Sequence, residues 1–120
     1  MSTRSLKERG QDAAAAYLER IGMTVIERSW RCDAGVIDVV ALDQETLVLV
    51  GVKTTKSGRQ EGSQAVSAAT GRRIKKIADA YIQANDLGGI EWRYDRITLL
   101  LVAEDRALLR HQRYALAPAE

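Results

Sequence analysis

Two apolar runs, Val36 to Leu42 and Leu47 to Lys53, are separated by only four polar residues, Asp43-Gln44-Glu45-Thr46. Both are rich in β-branched side chains, and so short a polar break makes an antiparallel hairpin the natural connection. Closing the turn symmetrically pairs Leu42 with Leu47, Val40 with Leu49, Asp38 with Gly51 and Val36 with Lys53. Because side chains alternate along a strand, Val36, Asp38, Gly51 and Lys53 are expected on one face, and Val39, Val48, Val50 and Val52 on the opposite, core face. Two of these residues are out of place in a buried sheet. Asp38 sets a carboxylate between two valines, which is costly without partners. Gly51 packs nothing and loses the most backbone freedom on ordering.

The rest of the chain is organised around this hairpin. Ser5 and Glu8 have the spacing of a capping box, and Leu6, Ala13, Ala14, Tyr17, Leu18 and Ile21 recur at helical spacing before Gly22, which predicts a helix over Ser5 to Ile21. Thr24 to Arg31 reads as a strand, joined to Val36–Leu42 through Asp33-Ala34-Gly35. Thr54 to Gly62 has no period and reads as a loop. A second helix follows, capped by Ser63 or Thr70, with Val66, Ile74, Ile77, Ala78 and Tyr81 facing one way. Glu91 to Val102 and Leu108 to Leu116 are the last strands, around a turn at Glu104-Asp105-Arg106. The order α-β-β-β-α-β-β implies an α/β (α+β) fold with a mixed sheet flanked by helices, the helical crossover setting its two strands parallel. Residues 1–120 form a single domain.

Composition narrows the setting. With 46% apolar and 28% charged residues the chain is of the soluble globular kind, not the disordered kind. The longest apolar run, Ile97 to Ala103, is too short to cross a bilayer, and Met1 to Gly10 lacks the apolar core of a signal peptide, so no membrane partner is expected. One cysteine, Cys32, and one histidine, His111, supply neither a disulfide nor a zinc cluster, and a cytoplasmic location fits best. A net charge of +2 is uninformative, but its distribution is not. Lys53, Lys56, Arg59, Arg72, Arg73, Lys75 and Lys76 face a single acid, Glu61, within one stretch. Such a tract either tracks a phosphate backbone or simply solvates a helix face. Trp30, Trp92, Tyr94 and Tyr114 read as core or hairpin-packing residues in preference to base-stacking platforms, and His111 as a surface residue.

A carboxylate on one strand beside a carboxylate and a lysine on the next is the arrangement of a metal-dependent phosphodiesterase, in which acids hold Mg²⁺ against the scissile phosphate. Segments of the chain follow, in order, those of a family built on that pattern: "GQDAAAAYLERIGMTVIERSWRC" is similar to Gly-Glu-x-x-Ala-x-x-Tyr-Leu followed by an Asn-Trp-Arg-like strand. "GVIDVVALD" is similar to Gly-Glu-Ile-Asp-Leu-Ile-Ala, "LVLVGVKTT" to Leu-Val-Phe-Val-Glu-Val-Lys-Thr-Arg, and "RYDRI" to Arg-Phe-Asp-Val-Val. It resembles the YraN-type family of uncharacterised proteins, which share the restriction-endonuclease-like PD-(D/E)XK fold and are similar to Holliday-junction resolvases.

The resemblance implies a site built on Asp38 and Lys53, with Asp95 matching a later strand aspartate. It also marks departures. Gln11, Val36 and Gly51 stand at acidic positions, and Thr70 at a helix lysine. Gly51 thus occupies the place of a metal ligand, leaving Asp38 as the sole candidate, weak or absent as a metal site. Since Mg²⁺ binds through one or two carboxylates, Asp38 alone does not exclude it. Three functional classes follow. The first is a nucleic-acid-binding protein, for DNA in preference to RNA, with a degenerate metal site and contacts from Lys53, Lys56, Arg59, Arg72, Arg73, Lys75 and Lys76. The second is an active endonuclease using Mg²⁺ or Mn²⁺, Asp38, Lys53 and a further acid such as Glu61 or Asp33. The third is a protein-interaction module that forms a homodimer through its sheet edge.

Overall fold

In the computed structural model, which describes residues 5–56, 66–103 and 106–116, the expected element order appears in full. Helix α1 (Leu6–Arg20) precedes strands β1 (Thr24–Cys32), β2 (Gly35–Asp43) and β3 (Thr46–Lys56); helix α2 (Ala68–Ala84) leads to β4 (Trp92–Ala103) and β5 (Arg106–Gln112). The five strands lie in sheet order β1-β2-β3-β4-β5. All neighbours are antiparallel except β3 and β4, which run parallel as the α2 crossover requires. Element order and mixed sheet match the αβββαβ core expected of a restriction-endonuclease-like fold.

Local chemistry sets most boundaries. The capping box closes α1: the Glu8 amide donates to Ser5 Oγ at 3.1 Å and the Ser5 amide to Glu8 Oε1 at 3.0 Å. Most ends shift by a residue or two, and three differences from the sequence reading matter for the site. Helix α2 is capped by Ser67, whose Oγ accepts from the Thr70 amide at 3.1 Å, so Thr70 lies inside the first turn, while Ser63 lies outside the described residues. Strand β3 does not stop at Lys53 but pairs with β4 as far as Lys56 opposite Leu101, because the parallel neighbour continues alongside it. Strand β5 ends at Gln112, and the chain turns away at Tyr114, whose φ is 54°.

The sheet is covered on both faces, which is why β2 and β3 read as nearly continuous apolar runs. Ile74, Ile77, Ala78 and Tyr81 of α2 pack on Ile37, Val40, Leu47, Leu49 and Tyr94. On the other face, Ala14 and Leu18 of α1 pack on Val39, Ala41, Val48, Val50, Ile97 and Leu99, with Val52 at the margin. Each valine, leucine or isoleucine among them stabilises the fold by about 1.5–3 kcal/mol on full burial. Helix α1 approaches β3 most closely at Gly10, where a Cβ would overlap the Thr54 hydroxyl. That contact delivers the next residue, Gln11, onto the sheet.

Candidate functional site

The β2–β3 ladder follows the expected register from Asp43 opposite Thr46 to Val39 opposite Val50, and it stops there. The further pairs Asp38–Gly51 and Val36–Lys53 do not form. The Asp38 side chain replaces the ladder instead: the Val52 amide donates to Oδ2 at 2.8 Å and Gln11 Nε2 to Oδ1 at 3.0 Å. On the other side of β2, Arg28 pairs with Val39 and Trp30 with Ile37, while the intervening Ser29 adopts a φ of 54° and donates its hydroxyl to Gln11 Oε1 at 3.2 Å. A non-glycine residue in that region marks a local constraint. Alternation slips at the same point. Ile37 and Val40 both join the α2-side core, and Val39 and Ala41 the α1-side core. Asp38 therefore lies in an opening between two diverging strands, not on a flat face shared with Gly51 and Lys53.

Gly51 faces the α2 side of that opening. A Cβ at position 51 would overlap the hydroxyl of Tyr94 and lie 3.0 Å from its ring carbon Cζ. Tyr94 reaches there because β4 runs parallel to β3 with Tyr94 opposite Leu49. Burial pushes its phenol above the ordinary tyrosine value; the nearby charges of Arg96 and Arg73 pull it down, and Asp38 pushes it up. Asp38, Arg96 and Arg73 are thus near enough to the Tyr94 hydroxyl to act on it electrostatically, while Asp38 itself is held by Gln11. Arg73 also lies over Gly35, where a Cβ would stand 3.0 Å from its Nη1. Lys53 is exposed two residues beyond Gly51. Tyr94, expected as a core or hairpin-packing residue, packs its ring in the α2-side core. The signal for its second role was the tyrosine standing where the resembled family carries phenylalanine.

These residues do not fit a divalent cation. Asp38 is the one carboxylate of the set, both its oxygens already accept hydrogen bonds, and an acceptor-only carboxylate requires Gln11 to turn its NH₂ inward. Amide donors aimed at the ligand oxygens oppose a cation. Val36 and Gly51 supply no oxygen from their side chains, and among the described residues no group of three or more His, Cys, Asp and Glu is placed to hold a metal ion.

The basic residues divide. Arg72, Arg73, Lys75 and Lys76 are exposed on α2. Arg59 and Glu61 lie outside the described residues, as does the side chain of Lys56. Asp33 sits exposed in the β1–β2 turn and Cys32 is half-buried beside it.

A second polar cluster lies on β4. Asp95 is 0% exposed and accepts from Arg93 Nε at 2.9 Å and from the Tyr114 amide at 3.1 Å. Its Oδ2 is 2.9 Å from His111 Nε2, and His111 Nδ1 is 2.9 Å from the Tyr17 hydroxyl. An ionised Asp95 assigns the Nε2 proton to the histidine. Burial alone would push the Asp95 carboxyl up, but the bonds from His111, Arg93 and Tyr114 outweigh it and hold it below the ordinary aspartate value. Asp95, which the resemblance matches to a later strand aspartate, is a brace for Arg93. His111 is not a surface residue: its side chain is 6% exposed, wedged between α1 and β4. Tyr114, expected as a core or hairpin-packing residue, is 68% exposed, with its ring against Arg93.

No helix among the described residues is long and apolar enough to cross a membrane. Among solved structures, Pyrococcus furiosus SfsA, determined in complex with Ca²⁺, aligns with 87% of this chain and 63% of its own at a TM-score of 0.44 and 15% identity. A UPF0102 protein of Chloroflexus aurantiacus is 42% identical over 97 residues, covering 80% of this chain and 79% of its own. One from Geobacter sulfurreducens is 38% identical over 104 residues, covering 86% and 81%. The model of the uncharacterised protein family UPF0102 matches residues 10–99. This runs from within α1 through most of β4 and includes Gln11, Asp38, Gly51, Lys53 and Asp95, so the chain belongs to the UPF0102 family.

Proposed function

We propose that this protein binds nucleic acid, DNA in preference to RNA, through an endonuclease-like fold whose metal site is degenerate, and that it cuts poorly or not at all. The observation that carries this reading is a change of charge at one opening. The carboxylate positions of the motif hold Gln11, Val36 and Gly51, and Asp38 is spent on the Gln11 and Val52 amides. Lysine and arginine remain around it, with Arg73 and Arg96 close enough to act on Tyr94 and Arg72, Lys75 and Lys76 exposed along α2. Such a surface attracts phosphate directly, positions the backbone without reading sequence, and needs neither Mg²⁺ nor Mn²⁺. The cytoplasm, where a lone thiol such as Cys32 stays reduced, is the compartment we assign to it.

The test is a salt titration of binding to duplex and branched DNA in EDTA, with Mg²⁺ and Mn²⁺ added separately to look for cleavage. Binding that survives EDTA and weakens steeply with salt supports the reading. No affinity for either DNA at low salt ends it, and metal-dependent cleavage abolished by Asp38→Ala replaces it with an active endonuclease.

A further inference from the structure

A groove of about 900 Å³ runs between the start of α2, the start of β4 and the segment after β5. Its volume falls within the roughly 300–1,000 Å³ of ordinary ligand sites. Val66, Trp92 and Leu116 give it an apolar floor, Tyr114 stands at its side, and Arg72 and Lys75 supply positive charge. Among the described residues no acidic side chain lines it, and none occupies the first turn of α2, whose positive end opens onto it.

Tyr114 is the informative residue. A tyrosine kept only for packing buries its ring, yet this one is 68% exposed while being held firmly in place. Its amide donates to Asp95 Oδ1 at 3.1 Å, and the next amide, Ala115, donates to the Tyr94 carbonyl at 2.7 Å. Its ring lies 5.1 Å from the Arg93 guanidinium carbon, and Arg93 is itself fixed by Asp95 at 2.9 Å and Asp43 at 3.1 Å. The result is a preorganised aromatic surface beside an apolar floor and two cations. An unpaired base stacks on an aromatic face while its phosphate meets Lys or Arg, whereas a base inside a duplex has both faces covered by its stacked neighbours and cannot enter such a groove.

We infer that this groove takes an unpaired nucleotide of a single-stranded nucleic acid, its base against Tyr114 and Trp92 and its phosphate at Arg72 and Lys75. The inference rests on the nucleic-acid reading above and refines it. Tyr94 lines the groove and places its hydroxyl at Gly51, so the groove adjoins the opening around Asp38. A strand leaving a duplex at that opening has a seat for its first unpaired base.

Fluorescence anisotropy should compare a blunt duplex with the same duplex carrying a short oligothymidine overhang. The protein is expected to prefer the overhang. Tyr114→Ala should weaken overhang binding by roughly five- to 150-fold, the range of one base–aromatic stack, leave the blunt duplex unaffected, and be rescued by Tyr114→Phe. Crosslinking an overhang containing 5-iodouracil to the unmodified protein gives a readout independent of the variants, with adducts expected at Tyr114 or Trp92. Duplex binding with no overhang preference, equal losses on both DNAs, or adducts confined to other residues overturn the groove assignment alone. Failure of the unmodified protein to bind either DNA overturns the nucleic-acid reading, and this one with it.

Discussion

Substituting Gly51→Ala isolates the steric half of the metal-site argument, because it adds a Cβ without a charge. The position has no positive φ, so alanine meets no backbone objection. In an ordinary strand the change would stabilise by about 0.5–1 kcal/mol through reduced backbone entropy. Here the new Cβ overlaps the Tyr94 hydroxyl, and the phenol belongs to a rigid ring packed in the α2-side core. Overpacking of this kind costs about 1–3 kcal/mol, so the overlap wins and Gly51→Ala should destabilise by about 1–2 kcal/mol. Tyr94→Phe removes the overlapping atom and leaves Cζ at 3.0 Å, a contact that a small ring shift relieves. In that background the cost should fall to near zero, giving a coupling of about 1–2 kcal/mol in a double-mutant cycle read by urea unfolding. The same logic makes Gly51→Glu alone a poor restoration of the acidic motif and the pair with Tyr94→Phe the required one. Equal costs of Gly51→Ala in both backgrounds would show that Tyr94 does not occupy the vacated space.

Two further outcomes follow from the polar clusters. Asp95→Asn should destabilise by about 1.5–3 kcal/mol at neutral pH, since it takes from buried Arg93 one of its two carboxylate partners and leaves only Asp43. The Asp95 carboxyl is held low in the folded state, so its contribution is complete above the unfolded value of about 3.9 and is lost as pH falls through the lower folded one. Unfolding at pH 7 and at pH 3 should therefore show the gap between the two proteins narrowing in acid, and a gap independent of pH refutes the assignment. Charge reversal at Arg72, Arg73, Lys75 and Lys76 should flatten the plot of log affinity against log salt by about 0.9 per lost phosphate contact, and an unchanged slope would place the DNA elsewhere.

The hairpin register was legible because its determinants are local: a short polar turn and valines at alternate positions fix Val39 to Leu42 against Leu47 to Val50. The end of the ladder was not legible, because it depends on Gln11 arriving from α1 and on Ser29 turning into the left-handed region. Both are tertiary events with no mark in the hairpin sequence. Asp38 and Gly51 stood out as anomalies, but the partner that fills the Gly51 space comes from β4, more than forty residues on. His111 misled for a similar reason. Its polar neighbours describe an edge strand, while its own contacts, Tyr17 and Asp95, come from other elements. The cap of α2 differs because several hydroxyl residues lie near the start of the helix, and Ser67 is the one with extended backbone whose hydroxyl accepts from the Thr70 amide.

Strand order that repeats chain order has a kinetic consequence. Three of the four strand contacts join immediate neighbours through short connections, and only β3 against β4 spans the α2 excursion. Loop-closure entropy must be met before a distant pairing is rewarded. The β1–β2–β3 meander and the β4–β5 hairpin are thus the natural early units, and their parallel docking is the late step. Tyr94 reaches Gly51 only across that seam, so the opening around Asp38 acquires its shape when the two halves meet.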